Sequence, residues 1–269
     1  MKSVYGQNKA TAQKIKGPLK QVMLVESNPN YARMLFDMLR MLGAEDITIY
    51  KDSEEALDKA SMVPFSLIVC SHQLPECDAL TLVKGLRRST SPCRKSPVIT
   101  IAGEITMSLL NDIRDSGADE FMRKPFTWGD LQKRIEHVAL KARPWIEAVG
   151  YVGPDRRRFN SGDYNGPRKR ASDNTDAKTA QLEQSVRILK AAFEQFNADP
   201  VQARRAMYAQ LEVLVPACKF VTDPNFPDYV RTILTELRQD WPDLNAIRPS
   251  VQGLVTLMKI EDRRPPSAA

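Results

Sequence analysis

Cysteine and histidine are scarce in this 269-residue chain, which has four cysteines (Cys70, Cys77, Cys93 and Cys218) and two histidines. No two cysteines stand in CxxC spacing, so neither a zinc site nor a disulfide framework is predicted, and the thiols read as reduced and structural. Long apolar runs are missing as well: nothing approaches the roughly 20 residues that span a bilayer. The opening MKSVYGQNKATAQKIKG has lysines but lacks the apolar core, roughly 7 to 15 residues, of a secretory signal. These absences point to a cytoplasmic protein without membrane insertion, metal centre or cofactor.

What is there is unevenly spread. The formal net charge is +6, and the stretch from Lys141 to Ala171 has eight Lys or Arg against Glu147, Asp155 and Asp163, so this stretch alone carries +5. Such a local positive field selects an anionic partner. The chain is long enough for two cores.

From Gln21 to Leu140, short apolar runs alternate with amphipathic stretches, the pattern of an α/β domain with a parallel, doubly wound sheet. The predicted strands are 21–25, 47–50, 66–70, 98–102 and 120–123. Leu35, Met38, Leu39 and Leu42 form the apolar stripe of the first helix, which Gly43 ends. The last helix of this part starts near Thr127 and is interrupted by Pro144 at the latest. Ligands of such sheets sit at the carboxyl ends of the strands. The residues there are Glu26 and Ser27, Ser71, Ala102, and Lys124 with Pro125.

With "VES", "SHQLPECDAL" and "GADEFMRKPF" in those places, the region of roughly 19–142 resembles a CheY-like receiver domain of two-component signalling, the response regulator family. The resemblance implies that two acids after strand one and an Asp after strand three gather Mg²⁺, that this Asp accepts a phosphoryl group, and that a Thr or Ser after strand four and a Lys after strand five bind the phosphoryl oxygens. Those positions here are Glu26 and Ser27, Ser71, Ala102 and Lys124. Only Glu26 and Lys124 keep matching chemistry. A neutral hydroxyl is a weak Mg²⁺ ligand and, without an adjacent base, a poor nucleophile. A pseudo-receiver without phosphoacceptor, metal or enzymatic activity is therefore expected, with Ser71 filling the vacated pocket and Glu26 and Lys124 forming an ion pair. Phe121, at the family's aromatic switch position, is expected to be packed. His72 does not activate Ser71, because consecutive strand residues point to opposite faces.

The basic stretch includes "RPWIEAVGYVGPDRRRFNSGDYNGPRKR", rich in Gly, Pro, Asn and Asp. Arginine pairs bidentately with phosphate and with the guanine edge, and stacks on π systems. Asp155 could accept from guanine N–H donors, and Tyr151, Phe159, Tyr164 and Trp145 offer stacking surfaces. Arg156, Arg157 and Arg158 could grip a ligand from two sides. "YVGPDRRRF" resembles the arginine-rich extension of CheY-like cyclic di-GMP effectors, which implies cyclic di-GMP as ligand and a signalling protein, such as the flagellar motor switch, as partner. Two other readings stay open for the segment: a solvated linker in a protein–protein scaffold, and electrostatic nucleic-acid binding. Its polarity predicts disorder over 151–170 without ligand.

Beyond it, Leu182, Val186, Leu189, Phe193 and Phe196 make one helical stripe. Asp199 and Pro200 start another helix, and further helices are expected over 226–241, where Trp241 continues a stripe, and 249–261. The expected division is a flexible tail (1–18), a degenerate receiver (19–142), an arginine-rich ligand segment (143–176), an all-α domain (177–262) and a disordered tail (263–269).

Overall fold

Five short runs of β-branched and aliphatic residues become strands because both faces of each inner strand are covered, which favours continuous apolar sequence over alternation. The computed structural model describes residues 19–75, 77–141, 143–156 and 177–260. The two predicted tails, together with Arg157, Arg158, Phe159 and Tyr164, lie outside these. The order is β1 (Gln21–Val25), α1 (Pro29–Met41), β2 (Asp46–Tyr50), α2 (Ser53–Met62), β3 (Leu67–Ser71), α3 (Ala79–Arg88), a 3₁₀ turn (Pro92–Lys95), β4 (Val98–Ala102), α4 (Met107–Ser116), β5 (Glu120–Arg123) and α5 (Trp128–Leu140). All strands pair in parallel, in the order β2-β1-β3-β4-β5.

The period-two alternation of each strand divides the core into two layers. Val22, Leu24, Val69, Ile101 and Met122 face α1 and α5, where Leu35, Leu39, Leu131 and Ile135 meet them. Met23, Val25, Ile68 and Cys70 face α2 and α3 on the other side, against Ala56, Ala60, Leu82, Val83 and Leu86. Burial lifts the Cys70 thiol to a pKa of about 12, so it is an inert filler. Gly43 follows the end of α1 with φ +96, as its predicted stop role requires.

The described residues divide into two units, one running through Ile146 and resuming at Tyr151, the other holding Glu147–Gly150 and the helices from Ala177 on. The expected disorder from 151 does not hold where the chain is described. Trp145–Glu147 and Val152–Pro154 pair as a two-stranded ribbon, β6 and β7, so the first part of the 143–176 segment is folded.

The second unit has α6 (Ala177–Glu194), α7 (Pro200–Ala217), α8 (Phe226–Leu237) and α9 (Leu244–Leu257). The stripe from Leu182 to Phe196 packs with Met207, Leu211, Phe226, Ile233, Val251 and others into one core. Asp199 caps α7 through Gln202 N, with Pro200 at the first helical position. Helix α8 stops before Trp241, which is 92% exposed and not in the stripe. The last helix runs Leu244–Leu257 and contains Pro249, so it begins about a turn before the expected range of 249–261. In the same unit Glu147 is buried, its carboxylate accepting from Gln202 Nε2 at 2.7 Å and its carbonyl from Gln210 Nε2 at 3.2 Å.

Candidate functional site

Two groups of predicted residues sit at different ends of the receiver unit. At the carboxyl ends of the strands, Glu26 follows β1, Ser71 closes β3 and Lys124 follows β5. Parallel pairing of β1 with β3 puts the first two exits side by side, and β4 stands between β3 and β5. Lys124 Nζ donates to Glu26 Oε2 at 3.0 Å and to Ser71 Oγ at 3.2 Å. Ser71 Oγ in turn donates to Glu26 Oε2. The second carboxylate oxygen, Oε1, accepts from Asn28 N at 2.9 Å. Lys124 Nζ also lies 4.1 Å from the Tyr31 ring centroid, a cation–π contact that the sequence did not signal.

The pocket is thus closed on itself. Glu26 is 3% exposed and Ser71 2%, while the Lys124 side chain is 19% exposed. Serine in β3 makes this closure possible: its hydroxyl bridges the acid and the base, where a carboxylate would set a second negative charge against Glu26. Ala102, buried at the end of β4, supplies no hydroxyl, and Ser27 adds no carboxylate. The residues present do not fit a Mg²⁺ ion, which needs more hard oxygen donors than one paired carboxylate supplies. His72 is not part of the group: its Nδ1 is buried without a hydrogen-bond partner. Phe121 packs against Leu80, Ile113 and Ala118. A hollow of about 510 Å³ lies elsewhere, along β5 and α5, lined by Phe126, Lys133, Arg134, His137 and others, and shares no residue with the triad.

The second group surrounds the ribbon at the amino ends of β4 and β5. Arg87, at the end of α3, is 1% exposed. Its guanidinium donates to Gly117 O (3.0 Å), Arg94 O (2.7 Å), Ser96 O (2.8 Å) and Asp119 Oδ2 (2.9 Å). It also lies 5.2 Å from the Trp145 ring. Two glycines let the ribbon approach: a Cβ on Gly117, φ +94, would stand 2.5 Å from Val152 O, and one on Gly153, φ +153, would stand 2.8 Å from Gly117 Cα. Arg143 donates to Asp119 O and, at 3.3 Å, to Asp155 O.

Of the predicted ligand residues, Tyr151, Asp155 and Arg156 are brought together here. Tyr151 is not an open stacking surface. It is 6% exposed, its hydroxyl donates to Pro154 O at 2.6 Å, and burial pushes its pKa up to about 12. Arg156 covers it, with the guanidinium 4.2 Å from the ring centroid, and pairs with Asp115 at 2.7 Å. Burial raises the Asp115 carboxyl, but the hydrogen bonds and charges of Arg114 and Arg156 outweigh it and hold the group below its usual range. Residues missed by sequence reasoning are therefore Arg87, Asp115 and Tyr31.

The sheet-bearing part of the chain is similar to known proteins. The response regulator receiver domain matches residues 22–136. A probable chemotaxis protein CheY of Rhizobium etli is 26% identical over 132 residues, covering 48% of this chain and 98% of that protein. The transcriptional activator protein PfeR of Pseudomonas aeruginosa is 28% identical over 47% of this chain, a match that spans only 40% of PfeR. Among solved structures, the Vibrio cholerae chemotaxis protein CheY4 superposes with a TM-score of 0.42 at 22% identity, over 45% of this chain and 98% of that one. With five parallel strands in the order 2-1-3-4-5, a Glu after β1 and a Lys after β5, the stretch from 22 to 136 is a response regulator receiver domain, set in a chain about twice its length.

Proposed function

We propose that this receiver-domain protein signals without phosphoryl transfer and acts as a non-enzymatic adaptor that hands its state to a protein partner. The observation that carries this is the triad. Lys124, which in the family would hold phosphoryl oxygens, spends its contacts on Glu26, Ser71 and Tyr31, and no carboxylate stands at the end of β3. Incubating the full chain with acetyl phosphate and Mg²⁺ tests it by intact-mass measurement. The expected result is no phosphoryl adduct; an adduct mapped to a receiver carboxylate overturns the proposal.

A second reading concerns the signal. Cyclic di-GMP is the ligand the run from Asp155 to Arg158 suits best, and the placement of Arg156 over a tyrosine, rather than on a bare tether, favours it. Arg156 must leave Asp115 to take a phosphate. That pair is exposed and of the kind worth about 0.2–1 kcal/mol, so a charged ligand can replace it. Titration calorimetry with cyclic di-GMP, on the wild type and on Arg156→Ala, Arg157→Ala and Arg158→Ala, checks the assignment, and no heat at tens of micromolar removes it. The partner would be the flagellar motor switch or another signalling protein. Nucleic acid is the alternative for the basic segment, since relatives such as PfeR are named transcriptional regulators. No helix among the described residues is long and apolar enough to cross a membrane.

A further inference from the structure

The hollow of about 510 Å³ on the receiver unit takes its lining from β5, the connection to α5, and α5 with its C-cap. Its floor is apolar: Met122 is buried, Phe126 is half-buried against the sheet core, and Leu140 is 53% exposed. Cations surround this floor, with Arg123, Lys133, Arg134 and Lys141 against Asp130 and Glu136. The two acids are held by their own helix and its cap. Asp130 Oδ2 accepts from Thr127 N at 2.9 Å and from Thr127 Oγ1 at 2.7 Å, and Glu136 Oε1 accepts from Gln132 Nε2 at 2.6 Å. Buried Glu120 already holds Arg134 at 2.9 Å and the His137 ring. Arg123, Lys133 and Lys141 are exposed, and among the described residues their side chains make no hydrogen bond or ion pair; Lys133 acts on Asp130 through charge alone.

We infer that this hollow is a docking groove for an amphipathic helix of a partner protein, one with an apolar stripe and carboxylates two turns apart. The span of the cations argues for a helix. Lys133 on α5 and Lys141 at its C-cap are eight residues apart, roughly 12 Å along the axis. That is too far for one phosphate group to bridge, and it matches acidic side chains two turns apart on a helix lying along α5. The floor argues against a polyanion without apolar side chains, because Phe126 and Leu140 would then stay wet. A helix laid in the groove answers both features: leucine-class side chains cover the floor, and carboxylates meet Arg123, Lys133 and Lys141 at the rim. The inference deepens the adaptor reading by naming the kind of partner, and it rests on that reading only for the existence of a protein partner.

The probe is a labelled synthetic peptide helix with a leucine stripe flanked by glutamates two turns apart, and fluorescence anisotropy on the full chain at low salt reads its binding. Two control peptides carry lysine in place of glutamate, or the same residues in shuffled order. Removing one exposed cation from an ion pair changes affinity by up to about fivefold, and reversing its sign by up to about twenty-fivefold. Lys133→Ala and Lys141→Ala should each weaken the acidic peptide about two- to fivefold, and the double variant Lys133→Glu/Lys141→Glu at least about tenfold, with unchanged thermal melting. Leu140→Ala should weaken it about fivefold through lost apolar contact, and inorganic pyrophosphate should not displace it. Saturable binding of the acidic peptide alone, with these losses, is the expected result. No saturable binding of it, equal binding of the shuffled peptide, unchanged affinity in the double variant, or displacement by pyrophosphate overturns the groove. Each of those outcomes leaves the adaptor reading standing, since that reading falls to a phosphoryl adduct on a receiver carboxylate.

Discussion

Removing Lys124 should destabilise the receiver more than neutralising its partner does. In Lys124→Met, the Glu26 carboxylate, 3% exposed, loses its counter-charge and keeps only the Ser71 hydroxyl and the Asn28 N–H. Breaking a buried pair in this way costs about 3–5 kcal/mol when both partners are buried. The 19% exposure of Lys124 lets water reach the vacated place, which lowers the expectation to about 2–4 kcal/mol. In Glu26→Gln the amide can still bond Ser71, and the ammonium keeps Tyr31 and its solvent-facing side. The cost is then about 1–2 kcal/mol. The double variant should lie close to Glu26→Gln alone, giving a coupling of about 2–4 kcal/mol between the two sites. Urea unfolding of the full chain and the three variants at neutral pH, followed by fluorescence and circular dichroism, measures the cycle. Strictly additive costs, or a smaller loss for Lys124→Met than for Glu26→Gln, would refute the closed triad.

Ser71→Asp should lower stability in metal-free buffer by setting a second carboxylate against Glu26, and added Mg²⁺ should restore part of the loss; a Mg²⁺-insensitive melt would contradict the assignment of this exit to the ancestral ion pocket. Gly117→Ala should cost about 1–3 kcal/mol through its left-handed backbone and the clash with Val152 O, and should raise hydrogen exchange in 143–156, whereas unchanged exchange would mean the ribbon docks by other contacts. Tyr151 has its pKa raised by burial to about 12, so its folded form holds the phenolic proton longer than the unfolded form, whose value is about 10. Its contribution to stability is therefore full below about pH 10 and lost as pH rises toward 12. Wild type should accordingly lose stability relative to Tyr151→Phe across that window, and parallel stability curves would refute the burial argument.

The receiver was legible because its inner strands are buried and its exits fall at fixed places in the alternation. The run from Leu67 to Cys70 announces a strand, and the residue at its end can be asked what chemistry it carries. Ser71 carries a hydroxyl there, and Glu26 and Lys124 sit where the strand exits put them. The ribbon was not legible for an equally physical reason. Strands of three residues, WIE and VGP, are too short to show a period, and glycine and proline made their setting look like a loop. Its anchor, Arg87, reads in the sequence as an ordinary cation in the last turn of a helix, and only the backbone carbonyls of Gly117, Arg94 and Ser96 turn it into a buried hub. Tyr151 was correctly placed near Arg156 but with the wrong role, since aromatic character alone does not tell a buried ring from an open one. Trp241 shows the opposite error: helical spacing from Leu237 suggested burial, but the helix had already ended.

The central claim, a receiver whose acid pocket has become a structural ion pair, is tested most directly by adding Mg²⁺ with beryllofluoride, the phosphoryl mimic, to the full chain. Two-dimensional amide NMR would follow residues 26–31, 71–73, 102–104 and 124. The account predicts no shift at these positions at millimolar Mg²⁺ and excess beryllofluoride. Saturable shifts centred on Ser71 and Lys124 would contradict it.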